Sequence, residues 1–333
     1  MSSTSTSGTS TDATTGPVLV TGASGYLGTR LVADLLLAGT DVRATVRTPA
    51  GEASLRTALA RAGADATGLD VVFASLTDDE GWSHAADGMR GVYHLASPMI
   101  MATDPDEIVP PARDGALRVL RAARDAGIPR VVLTSSFAAI GYSPKPERDY
   151  TEDDWTDPAT PGLAPYPLSK AVAERAAWDF IAQEGAGTEL VVVNPTWIAG
   201  PTLTVDARSS LQVFTSMLSG AMTETPRQRF GIADVRDVAA LHIAAMMTPD
   251  AAGKRYLALA DGPTLTFLDV ARVLRDRLGD FGAKTPTREA PGEEVPPLVI
   301  RNARAKQELG FSPRPVDQTI VETAESLHDL GLA

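Results

Sequence analysis

A chain of 333 residues, 44% hydrophobic and 22% charged, has ordinary globular composition and is long enough to bury one large core or two modest ones. Its formal net charge of -12 repels polyphosphate backbones and anionic lipid, so neither nucleic acid nor a membrane is an expected partner. The absence of cysteine excludes disulfides, thiolate metal sites and thiol nucleophiles, and His84, His94, His242 and His328 lack metal-ligand spacing, so no metal is expected.

Residues 1–16 are almost all Ser, Thr and Gly and are expected to form a disordered tail. They lack the basic and apolar regions of a signal peptide, and no apolar run reaches the ~18 residues of a membrane span. A cytoplasmic protein is the expectation. Val18-Leu19-Val20 reads as a buried strand that stops at Thr21-Gly22. Tyr26 to Ala38 has helical spacing through Leu27, Leu31 and Leu35, with Gly39 as its stop. Further strands are expected at Asp41 to Val46, Asp70 to Ala74, Gly91 to Leu95, Arg130 to Thr134 and Glu189 to Val193. Between them lie helices at Leu55 to Ala62, Ile108 to Ala126 and Tyr166 to Glu184, and a long Pro- and Asp-rich loop from Ser143 to Pro167.

This alternation implies an α/β fold, a Rossmann-type doubly wound parallel sheet with helices on both faces. After Asn194-Pro195 the alternation is lost. Helices are expected at Arg208 to Gly220, Val235 to Met247, Thr266 to Leu278 and Asp317 to Leu330, with short strands at Arg255 to Ala260 and Val299 to Ile300. The chain thus divides into a dinucleotide-binding domain, 17–194 with parts of 235–260, and a smaller C-terminal substrate-binding lobe within 195–333.

Between the first strand and helix lies Thr21-Gly22-Ala23-Ser24-Gly25-Tyr26-Leu27-Gly28. Gly22 permits a tight turn, Gly25 lets backbone approach a pyrophosphate, and Gly28 permits close helix packing, with the helix amino terminus facing the negative charge. About 20 residues on, an acid would hold the ribose 2′-hydroxyl of NAD. The second strand ends instead at Val46-Arg47. An arginine suits a 2′-phosphate, so NADP(H) is the expected cofactor, with Arg47 its contact ahead of Arg43 and Arg56.

Thr134-Ser135-Ser136 closes the fifth strand, and ligand sites of doubly wound sheets lie outside the carboxyl ends of strands. Tyr166 and Lys170, four residues apart on a helix, share one face. A lysine cation held near a phenol favours the phenolate and makes tyrosine useful in proton transfer near neutral pH. A serine hydroxyl can bond the substrate oxygen where charge develops.

Further along stand Val92-Tyr-His-Leu-Ala-Ser-Pro-Met99, Asn194-Pro-Thr196, Val235-Arg-Asp-Val-Ala239 and Asn302-x-x-x-Lys306-x-x-Leu-Gly310. With the glycine turn and the Ser, Tyr and Lys set, these make Pro17 to about Pro315 resemble the extended short-chain dehydrogenase/reductase family. The similarity is to the branch of dihydroflavonol reductase, cinnamoyl-CoA reductase and the yeast methylglyoxal and carbonyl reductases. The resemblance implies Ser136, rather than Ser135, as the catalytic serine, Tyr166 as proton donor, and Lys170 as the residue that binds the nicotinamide ribose and tunes Tyr166. It also implies that Leu95, Ala96, Ser97, Thr134, Pro195, Thr196, Trp197, Ile198 and Ser210 line the cofactor, and it places Arg47 at the 2′-phosphate. Ser75-Leu76 stands where the family often has Asp-Leu near the adenine. Gly141 stands where plant flavonoid reductases tend to have Asn, which argues against a flavonoid substrate.

Aromatic and Met side chains suit an apolar pocket, and Met99, Phe137, Ile140, Trp197 and Phe214 are expected in its wall beside Gly141. The reading is an NADPH-dependent carbonyl reductase or alcohol dehydrogenase acting on a small, largely apolar molecule. The family also implies a possible homodimer through the helices at Ile108 to Ala126 and Tyr166 to Glu184. The alternatives are a nucleotide-sugar epimerase or dehydratase holding NAD, for which Arg208, Arg227 and Arg229 would bind phosphate, and a 3β-hydroxysteroid dehydrogenase-like enzyme.

Overall fold

In the computed structural model, residues 16–98, 100, 102–145, 149–205 and 210–333 are described. The expectations at residues 1–15, Met99 and Arg208 lie outside them. Strand and helix alternate through β1 (Val18–Thr21), α1 (Tyr26–Leu37), β2 (Val42–Val46), α2 (Pro49–Arg61), β3 (Leu69–Phe73), α3 (Trp82–Ala86), β4 (Val92–His94), α4 (Pro105–Asp125) and β5 (Arg130–Thr134). A two-residue strand β6 (Asp149–Tyr150) precedes α5 (Pro165–Glu184) and β7 (Glu189–Pro195). Shorter elements follow: β8 (Trp197–Ala199), α6 (Ser210–Leu218), β9 (Arg229–Phe230), β10 (Ile232–Asp234), α7 (Val235–Met247), β11 (Arg255–Ala258), β12 (Leu265–Thr266), α8 (Phe267–Leu278), β13 (Val299–Ile300), α9 (Ala303–Leu309) and α10 (Val316–Asp329).

The main strands are largely apolar because alternate residues are buried on opposite faces. Val18, Val20, Val132, Val191 and Val193 face one layer, packed by α1, α2 and α7. Leu19, Val131, Leu133, Leu190 and Val192 face the other, packed by α3, α4 and α5. The seven strands stand in the order β3-β2-β1-β4-β5-β7-β11, with every pair parallel. Strand order reverses between β1 and β4. There the connections leave for opposite faces, the point at which doubly wound sheets form a crevice at the carboxyl ends of their strands.

A separate core holds Ala199, Leu211, Phe214, Ile232, Val270, Leu274, Ile320 and Leu327 from β8, β10, α6, α8 and α10. β11, expected only as a short strand, is the edge strand of the main sheet. α2 begins at Pro49 rather than Leu55 because Thr48 caps it, its side chain accepting from the Gly51 N–H at 3.2 Å, with proline in the first turn. α4 likewise begins at Pro105, capped by Asp104 on the Asp106 N–H at 2.9 Å.

Candidate active site

The glycine turn sits on the crevice between β1 and β4. Thr21, fully buried at the end of β1, receives the Leu95 and Ala96 N–H groups on its Oγ1, both at 3.1 Å. With those bonds accepted, its hydroxyl hydrogen goes to His94 Nδ1 at 2.7 Å. One hydroxyl thus ties the exit of β1 to the exit of β4. His94 stays neutral: burial, then the Lys170 cation, holds its imidazole down to about 3.

Gly22 has φ 67°, and a Cβ there would lie 2.9 Å from Ala96 Cα. A Cβ on Gly28 would overlap the Gly22 carbonyl oxygen, and one on Gly25 would stand 3.2 Å from the same oxygen. The turn therefore excludes a side chain at Gly22 and Gly28, leaves little room for one at Gly25, and so presents bare backbone at the start of α1, the cradle a pyrophosphate requires. Leu27 is buried inside α1, and the Tyr26 hydroxyl donates to the Gly200 carbonyl at 2.6 Å, so neither side chain is offered to the crevice.

Three arginines were candidates for a 2′-phosphate. Arg43 is committed to Asp70 at 2.6 Å and to the carbonyls of His84 and Asp87. Arg56 pairs with Glu52 at 2.9 Å. Arg47 is exposed and has no hydrogen-bond or ion-pair partner among the described residues. It lies beside Thr48, the cap of α2, while Ser24 stands close to Gly51 in the first turn of that helix. Leu76 packs against Gly115 of α4, and the Ser75 hydroxyl meets Thr77 Oγ1 at 3.0 Å.

The reactive side chains reach the crevice from two directions. α5 presents Tyr166, 38% exposed, and one turn later the buried Lys170. Lys170 Nζ donates to Ser97 Oγ at 3.1 Å and lies 5.9 Å from the centre of the Tyr166 ring. From β5 come the two serines, which differ in commitment. The Ser135 hydroxyl donates to Glu174 Oε2 at 2.5 Å and is buried. Ser136 Oγ accepts the Ala138 N–H at 3.1 Å, which leaves its hydrogen for another acceptor. Thr134 Oγ1 meets His242 Nε2 at 2.6 Å, while His242 Nδ1 faces the Val238 carbonyl at 2.8 Å. Nδ1 must therefore carry the imidazole proton, and Thr134 donates. Burial holds His242 down to about 4.

Phe137, Ile140 and Phe214, expected in a pocket wall, are core side chains at 7%, 1% and 0% exposure. Phe137 and Ile140 pack with Tyr150, Leu257 and Leu259, and Phe214 stacks beneath Trp197 with ring centres 5.1 Å apart. Residue type did not separate wall from core, because both favour the same apolar side chains. At Gly141 the Phe137 ring fills the space a Cβ would need. Trp197 is half-buried, and its Nε1 donates to the Ser210 carbonyl at 3.2 Å. Pro195 ends β7, and the Thr196 N–H donates to the Ala258 carbonyl at 3.1 Å beside half-buried Ile198. Glu174 and Asn194 carry polar contacts that sequence reasoning did not assign, although Glu174 follows Lys170 by one helical turn.

Among the described residues no group of His, Asp and Glu is placed to hold a metal ion, and no helix is long and apolar enough to cross a membrane.

The sequence pattern of the NAD dependent epimerase/dehydratase family matches residues 18–258. Cinnamoyl-CoA reductase 1 of Petunia hybrida is 34% identical over 323 residues, covering 94% of this chain and 92% of the relative. Dihydroflavonol 4-reductase of Hordeum vulgare is 32% identical, covering 96% of this chain and 91% of the relative. Yeast methylglyoxal/isovaleraldehyde reductase Gre2, solved in complex with NADPH, superposes with a TM-score of 0.80 at 26% identity, covering 96% of this chain and all of that one.

Proposed function

This chain belongs to the NAD dependent epimerase/dehydratase family, the extended short-chain dehydrogenases/reductases, and within it we propose an NADPH-dependent reductase of small, largely apolar aldehydes and ketones. The observation that carries this reading is the 3.1 Å bond from Lys170 Nζ to Ser97 Oγ. It joins the helix bearing Tyr166 to the exit of β4, beside the bare glycine turn.

The backbone of Gly22 to Gly28 holds the pyrophosphate, Arg47 the 2′-phosphate and Lys170 the nicotinamide ribose, with Leu95 to Ser97 and Pro195 to Ile198 around them. When bound, the dinucleotide supplies the hydride that the carbonyl carbon accepts. Ser136 turns its uncommitted O–H toward the substrate oxygen, where negative charge develops. Tyr166 gives that oxygen a proton, and the Lys170 cation stabilises the phenolate left behind. The contact with half-buried Ser97 keeps the lysine in place.

An apolar substrate is favoured because Arg227 and Arg229 are otherwise engaged. Arg227 pairs with Glu289 at 3.0 Å, and Arg229 donates to the carbonyls of Val295 and Thr264. The test follows the NADPH absorbance band while aldehydes, ketones and diketones are presented, with NADH in parallel. Oxidation of NADPH by several apolar carbonyls is expected, with little oxidation of NADH. Purified protein carrying tightly held NAD, and inert toward every carbonyl, would contradict the reading and favour epimerase chemistry.

A further inference from the structure

We propose that Glu174 and Asn194 are positioning residues for Ser136: the Glu174 side chain fixes the Asn194 amide, and that amide holds the Ser136 peptide. The proposal rests on the role given to Ser136 above.

The Glu174 side chain is fully buried and surrounded by donors. Its Oε2 accepts from the Ser135 hydroxyl at 2.5 Å and from Asn194 Nδ2 at 2.8 Å. Its Oε1 accepts from Arg255 Nε at 2.6 Å and Trp178 Nε1 at 3.3 Å. Arg255, Trp178 and the Asn194 amide nitrogen offer it donors only, and the Ser135 hydroxyl can donate as well. Arg255 is itself held by the carbonyls of Glu152 and Asp154 at 2.8 and 2.7 Å and lies 3.8 Å from the centre of the Trp155 ring. The anchor is thus fixed from the edge of the sheet.

Asn194, fully buried at the end of β7, uses one nitrogen twice. Nδ2 donates to Glu174 Oε2 and to the Ser136 carbonyl at 3.2 Å. Both neighbours are pure acceptors, so only the amide nitrogen can face them. Asn194 Oδ1 is left buried with no partner among the described residues. The two acceptors at Nδ2, Glu174 and the Ser136 carbonyl, select this orientation at the expense of Oδ1. Tyr166, Lys170 and Glu174 succeed one another at single-turn spacing along α5. One helix then sets the proton donor, the cation and, through Asn194, the serine.

A structural ion pair alone would predict lost stability and unchanged chemistry, so the test separates the two. Asn194→Ala leaves the Glu174–Arg255 pair intact, and Glu174→Gln turns an N–H toward donors. With NADPH and a carbonyl the protein reduces, each is expected to lower kcat by roughly 10- to 100-fold through misplacement of the hydroxyl. The NADPH Kd should stay within about twofold of wild type, and the double variant should lose no more than either single one. Ser135→Ala, which takes one donor from Glu174 but leaves the Glu174–Asn194 and Asn194–Ser136 bonds in place, should keep its kcat within about twofold.

A readout independent of turnover is hydrogen exchange at the Ala138 amide, which donates to Ser136 Oγ. It should quicken by about tenfold or more in Asn194→Ala and Glu174→Gln but not in Ser135→Ala. A normal kcat in folded Asn194→Ala, losses that multiply in the double variant, or unchanged Ala138 exchange would each overturn the proposal. If the wild-type protein reduces no carbonyl, the reductase reading fails by itself, and Ala138 exchange still decides whether Glu174 and Asn194 hold the Ser136 peptide.

Discussion

On the proposed reading Arg47 separates the two dinucleotides. It is the one arginine of the three candidates left uncommitted among the described residues, and it stands beside the cap of α2. Losing a charged hydrogen bond costs about 1.5–3 kcal/mol, so Arg47→Ala is expected to raise the KM for NADPH by roughly 10- to 100-fold and leave that for NADH nearly unchanged. Steady-state kinetics with both cofactors check this, and equal KM changes would make Arg47 an ordinary surface charge. The chemistry of single residues was partly legible in the sequence. Glycine spacing and the missing acid at the end of β2 were visible there. The choice between Ser135 and Ser136 came only from resemblance, because neighbouring hydroxyls look alike until their partners are known. Structure separates them by the acceptor that Ser135 has and Ser136 lacks. Phe214 and Phe137 are buried with partners distant in sequence, which residue type does not reveal.

Elements were read well where one signal dominates. β5 and α7 span the expected Arg130–Thr134 and Val235–Met247, since apolar runs and a clear helical period mark them. Errors gather where capping decides, at Thr48-Pro49 and Asp104-Pro105, and where elements are too short for a period, as in α3 and β8. α7 and β4 also carry a pH dependence. Burial keeps His242 and His94 neutral down to about 4 and about 3, whereas in the unfolded chain they protonate near 6.5. Between pH 6.5 and 5 the unfolded state thus binds more protons, and stability falls as pH falls, by up to about 1.4 kcal/mol per pH unit for each histidine. Thermal melts from pH 7.5 to 5 should show this loss, with a shallower slope in His242→Gln. An identical slope in that variant would contradict the assignment.

At the scale of the whole molecule, alternating strand and helix announced a doubly wound sheet, but the order of strands was not in the sequence. β11 joins β7 through the crossover of α7, more than fifty residues after β7 ends, and no local pattern specifies that pairing. The order matters because it creates the reversal between β1 and β4. There Thr21 binds the β4 exit, bare glycines face outward, and Lys170 arrives from α5 to meet Ser97. The central claim is that this crevice binds NADPH and that Tyr166 protonates the substrate oxygen. Its most direct test compares wild type with Tyr166→Phe, measuring carbonyl-dependent NADPH oxidation and NADPH affinity on the same preparations. The account predicts loss of turnover by about a thousandfold or more with unchanged NADPH binding. Normal turnover by Tyr166→Phe would contradict it.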